Sequence, residues 1–147
     1  MRSVITLFLA ALLLVCSLET LAQESDKPFA EAHVVLQLAD GDEKTQARTL
    51  SVANNLIKHY GGPDFIDIEV VAYGPGISLL QPDNSNHERI SSLLAIDVRF
   101  VGCKNTLDTI ERTTGERPEL LADVILVQTG VARIIERAQQ GFVVIRP

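Results

Sequence analysis

Val98-Arg99-Phe100-Val101-Gly102-Cys103-Lys104-Asn105-Thr106-Leu107 begins as an apolar strand and passes within a few residues into a helix. A strand that feeds straight into a helix is half of a β-α-β crossover, the unit from which parallel sheets are built. The same passage recurs on both sides of this segment. Upstream, His33–Leu38 reads as a buried strand, and Asp40-Gly41-Asp42 turns the chain. Ala47, Leu50, Ala53, Leu56, Ile57 and Tyr60 follow at helical spacing, and Gly61-Gly62-Pro63 stops that helix. Ile66–Tyr73 is a second strand, followed by a loop at Gly74-Pro75-Gly76. Ser85 and Glu88 match capping-box spacing ahead of a helix containing Ile90, Leu93 and Leu94.

Ile96–Val101 supplies the third strand. Asn105 or Thr106 is placed to cap the helix that follows, which ends at Gly115. Val124–Val127 is a fourth strand, and Thr129 is placed to cap a helix holding Ile134, Ile135 and Ala138. Phe142–Ile145 is the fifth strand, after Gly141. The expected fold is α/β: three layers, with a five-stranded parallel sheet between helices. The near-continuous Val/Ile/Leu runs suit strands covered on both faces. Periodicity does not give the strand order.

Ahead of this domain (33–147) lie two further segments. Residues 1–22 read as a signal peptide: Arg2 is followed by an apolar stretch from Val4 to Val15, with small residues before Gln23. Cleavage after Ala22 predicts a periplasmic or secreted chain with no stable membrane span. Cys16 then leaves with the leader; Val15 before it is too bulky for a lipidation signal. Residues 23–32 form a flexible lead-in. The 147-residue chain carries a net charge of −6 from 13 Lys+Arg and 19 Asp+Glu. That balance, without a basic cluster, argues against nucleic-acid binding.

Cys103 is the one cysteine left in the mature chain. Functional groups in parallel sheets gather at the carboxyl ends of the strands, where Asp40, Gly74, Cys103 and Gln128-Thr129 all fall. A helix N-terminus just after Cys103 favours thiolate over thiol, and Lys104 adds positive charge beside it. The competing reading is a buried cysteine that serves as a small apolar side chain. A dithiol cycle is excluded by the lack of a C-x-x-C pair, and no cofactor or phosphate-binding loop is recognisable. One cysteine and three scattered histidines lack the spacing of a metal site. A cysteine hydrolase needs His33 or His87 beside the thiol; His59, late in its helix, suits a surface role.

Residues 33–147 resemble the DsrE/DsrF-like (YchN-like) family. The resemblance is carried by Asn54–Gly61, by Val70-Val71-Ala72-Tyr73-Gly74-Pro75-Gly76, and most specifically by Val98-x-Phe100-x-x-Cys103-x-Asn105-Thr106. It implies a parallel α/β/α fold and a homo-oligomer, such as a trimer or hexamer. It also implies that Cys103 accepts and donates sulfur as a persulfide, supported by Asn105 and Thr106. The partner would be a sulfur donor or acceptor protein, or a small sulfur anion. The export signal places this chain in an exported branch. The alternative is a non-enzymatic, homo-oligomeric binding module with a structural cysteine. Lys104, Gly74, Gly76 and Asp40 complete the expected site. Ile77, Leu79 and Leu80 form an apolar loop that a neighbouring subunit is expected to cover.

Overall fold

The computed structural model describes residues 27–147. The expected signal peptide, its cleavage site and Cys16 lie outside the described residues. The fold is α/β, with a five-stranded sheet in the order β4-β3-β2-β1-β5 and every pairing parallel. The strands are β1 (Ala32–Leu38), β2 (Ile66–Ala72), β3 (Arg99–Cys103), β4 (Ile125–Val127) and β5 (Val143–Ile145). Helices α1 (Glu43–His59), α2 (His87–Leu94), α3 (Lys104–Thr114) and α4 (Gly130–Gln139) alternate with them.

One face of the sheet carries most of the core. Leu36, Ile68, Val70 and Phe100 pack there against Leu50 and Ala53 of α1, Ile90 and Leu93 of α2, and Leu107 of α3. The other face is covered thinly. Val35, Val71 and Val101 meet Ile134 of α4 and Phe142. A single helix thus makes the third layer, and it buries only Gly130 and Ile134.

Several local expectations change. The β3 strand runs to Cys103 rather than ending at Val101, and Ile96 and Asp97 turn before it. The helix starts at once with Lys104, so Cys103 itself is the N-cap residue, in place of Asn105 or Thr106. The capping box does not form: Asn86 stands at the α2 N-cap, and Ser85 donates to Glu43 Oε1 at 2.7 Å. Asn84 organises that turn by accepting from the Asn86 N–H.

Gly74–Leu80 is a 3-10 segment rather than an open loop. Ile77, Leu79 and Leu80 are buried by the chain's own core, so no neighbour is needed to cover them. Burial on both faces holds for β2, whose residues are all buried. It does not hold for the edge strands, where Ile125, Leu126, Val143 and Val144 are exposed. Each edge strand has a single neighbour, and the exposed residues lie on both faces: Ile125 and Val144 on the α4 face, Leu126 and Val143 on the other.

Candidate functional site

The parallel pairing places Cys103 on the same face as Val101 and Val127, beneath α4. At this point two helices begin. Cys103 caps α3 from its own strand, and Gly130 opens α4 directly above. A Cβ built on Gly130 would lie 3.3 Å from Cys103 Cβ and 3.3 Å from Tyr73 Cβ. Glycine lets the helix backbone rest close against the sheet there; a Cβ would crowd both neighbours by a few tenths of an ångström.

Helix N-termini present unpaired N–H groups and a partial positive charge. Near the Cys103 sulfur are the N–H groups of Gly130 and Thr106, the Thr106 hydroxyl, and the Asn105 N–H, which is shared with the Gln128 carbonyl. Burial pushes the thiol pKa up; the donors, Gly130 foremost, then Thr106 and Asn105, outweigh it and hold the pKa below the ordinary thiol value. Lys104 is not among these leading contributions. As a thiol, Cys103 Sγ donates to the Gln128 carbonyl at 3.7 Å and caps no N–H. The donors act on the thiolate, the form that can accept.

Asn105 ties the two helix starts together. Its N–H donates to the Gln128 carbonyl at 3.1 Å, its Nδ2 to Thr129 Oγ1 at 3.0 Å, and its Oδ1 accepts from Gln128 Nε2 at 2.6 Å. Thr106 Oγ1 accepts from the Gly74 N–H at 2.9 Å, which joins the end of β2 to the same cluster.

A solved structure, that of the protein of unknown function MTH1491 from Methanobacterium thermoautotrophicum, is 33% identical to this chain. The match covers 80% of this chain and 100% of that one, with a TM-score of 0.70. The chain belongs to the same family as MTH1491. No family model matches it, and no curated protein does.

In this MTH1491-family chain the expected site residues divide. Cys103, Asn105, Thr106 and Gly74 come together. Gly76 is a packing residue instead: a Cβ there would fall 2.4 Å from the Leu38 carbonyl oxygen. Asp40 pairs with Arg146 at 3.0 Å, where β1 and β5 lie side by side. Beside the thiol, but not including it, is a cleft of about 650 Å³ between Tyr73–Ser78 and α3. Gly74, Asn105, Thr106 and Thr109 line it, with no charged side chain.

The histidines stand elsewhere. His33 contacts Asp67 and Phe142, on the first half of β1. His87 is exposed at the start of α2, and His59 packs edge-on against Tyr60. Among the described residues the groups near the sulfur are N–H donors, a hydroxyl and a carbonyl, and no histidine stands beside it.

Sequence reasoning placed Gln128 and Thr129 at a strand end and passed over Gly130. Its signal was available: glycine is a poor choice for the first turn of a helix unless another backbone or side chain must come close.

Proposed function

We propose that this is an exported sulfur carrier of the DsrE/DsrF-like kind that holds sulfur as a persulfide on Cys103. The observation that carries the reading is the start of two helices at one cysteine: Cys103 is the N-cap of α3, and Gly130, which opens α4, lies against its Cβ. Thiolate and persulfide anion need the same stabilisation, and neutral donors supply it without fixing a cation beside the sulfur.

In the transfer, the Cys103 thiolate attacks the terminal sulfur of a donor persulfide, R–S–SH. A new S–S bond forms on Cys103, the donor's S–S bond breaks, and the donor leaves as its thiolate. No net oxidation takes place, and the reverse step passes the sulfur to an acceptor thiol. Val131 and Ile135 on α4, with Ile125 and Leu126 on β4, leave apolar surface in water, which supports association with further copies of this chain. No described helix is long and apolar enough to cross a membrane.

A second reading has its own support. Cys103 is only 5% exposed, and the neighbouring cleft does not include it. A binding module that uses the cleft, with Cys103 as a buried structural residue, fits those two facts.

The test is the intact mass of the exported protein isolated without reductant, beside a Cys103→Ser control. A reductant-sensitive gain of one or more sulfur atoms, absent from the control, is expected. An unmodified thiol that also resists alkylation in the folded protein overturns the carrier reading in favour of the binding module.

A further inference from the structure

We infer that Glu69 is a positioning residue for the Cys103 thiolate, acting through Arg133 and Arg137 to hold α4 in the register that brings Gly130 onto the sulfur. The inference rests on the thiolate reading above.

Glu69 is fully buried in the middle of β2, on the face beneath α4. Arg133 clamps it with two bonds, Nε to Oε1 at 2.7 Å and Nη2 to Oε2 at 3.0 Å. Arg137 Nε reaches Oε2 at 2.9 Å, and Arg99 Nε of β3 approaches it at 3.3 Å. Two residues further along β2 is Val71, on the same face. One turn back along α4 is Gly130, whose built Cβ would lie 3.4 Å from Val71 Cγ1. Strand and helix are thus fastened at two neighbouring points, Glu69 with Arg133 and Arg137, and Val71 with Gly130.

Apolar packing cannot set this register alone. Among the residues of α4 only Gly130 and Ile134 are buried, while Val131 and Ile135 are exposed. A buried carboxylate is an expensive way to hold a helix, and well-packed apolar side chains serve stability as well or better. What a bidentate pair adds is a fixed geometry. That geometry matters where an N–H must meet a sulfur: hydrogen bonds weaken steeply when misaligned.

The sign of the effect separates positioning from charge. The charged groups around Glu69 are Arg99 from β3 and Arg133 and Arg137 from α4, with Asp67 and His33 next on that face. Glu136 acts on Arg133 from α4, and Lys104 follows Cys103 in the chain. Glu69→Gln deletes a negative charge and leaves the arginines. By charge alone this favours thiolate and moves the pH midpoint of Cys103 alkylation down. By loss of register it moves the midpoint up.

The experiment follows iodoacetamide labelling of Cys103 against pH in the folded full chain. Wild type, Glu69→Gln and Arg133→Lys are compared. Arg133→Lys keeps the charge and loses the two-bond clamp; it carries the test should Glu69→Gln fail to fold. The expected result is a higher midpoint in both variants and about a threefold or greater fall in labelling rate at neutral pH. Unchanged or lower midpoints, with the wild-type midpoint below that of an ordinary thiol, overturn the positioning role and leave the thiolate reading standing. An ordinary wild-type midpoint overturns the thiolate reading and this inference with it.

Discussion

Gly130 opens α4 so close to Cys103 that the Cβ of any larger residue would sit 3.3 Å from the cysteine Cβ. The contact lies between a helix N-terminus and the N-cap of another helix, so a small displacement removes a donor from the sulfur. Gly130→Ala is expected to lift the start of α4. Alanine improves helix propensity, which offsets part of the crowding, so the net stability loss is about 1 kcal/mol by urea unfolding. The larger effect is on chemistry: the pH midpoint for Cys103 alkylation rises. A variant that labels like wild type at every pH would show that the Gly130 N–H contributes nothing to the thiolate.

Thr106 serves two partners. Its hydroxyl oxygen accepts from the Gly74 N–H at 2.9 Å, and its hydroxyl also helps lower the Cys103 pKa. Thr106→Val keeps the shape and removes both bonds. A stability loss of about 1–2 kcal/mol is expected, since the Gly74 N–H is left without its acceptor. Alkylation at neutral pH should slow as well. Thr106→Ser should restore the labelling rate. Slow labelling by the serine variant would instead point to the methyl group and to packing.

Gly76 is a glycine for reasons of packing. Its N–H donates to the Ala39 and Tyr73 carbonyls, and a Cβ would collide with the Leu38 carbonyl at 2.4 Å. Backbone cannot swing aside as a side chain does, so Gly76→Ala is expected to cost about 3 kcal/mol in urea unfolding. In the fraction that remains folded, the alkylation profile of Cys103 should match wild type. A selective change in that profile, with stability intact, would return Gly76 to the thiol site.

The alternation of strands and helices was legible because it is written in local pattern: apolar runs, helical spacing, and Gly61, Gly115 and Gly141 after helix ends. Cys103 was legible because a thiol between an apolar run and a helix start has a physical meaning. Its surroundings were not. Gly130 is 27 positions away in sequence, and only the strand order brings it above the sulfur. Glu69 gave no signal of its own, because its arginines lie on an adjacent strand and on α4. The Ile77-Leu79-Leu80 loop misled because local sequence does not reveal which layer covers it. Ser85 and Glu88 had the right spacing, but Asn84 and Glu43 offered the turn better partners.

The depressed thiol pKa has a consequence for stability that needs no sulfur donor to observe. Cys103 ionises as an acid, and the folded state holds its pKa below the ordinary thiol value. Between the folded and unfolded pKa values the unfolded chain binds more protons, so stability rises with pH across that window. The contribution is complete above the unfolded value, about 8.5, and is lost as pH falls through the folded one. Cys103→Ser lacks it. Unfolding free energies of the two proteins, measured in urea with reductant, should therefore diverge in favour of wild type as pH is raised to about 9. Every other titrating group is shared and cancels in the difference. A difference that stays flat across the range would mean that the donors around the sulfur do no more than offset its burial, and Cys103 would then be a structural residue.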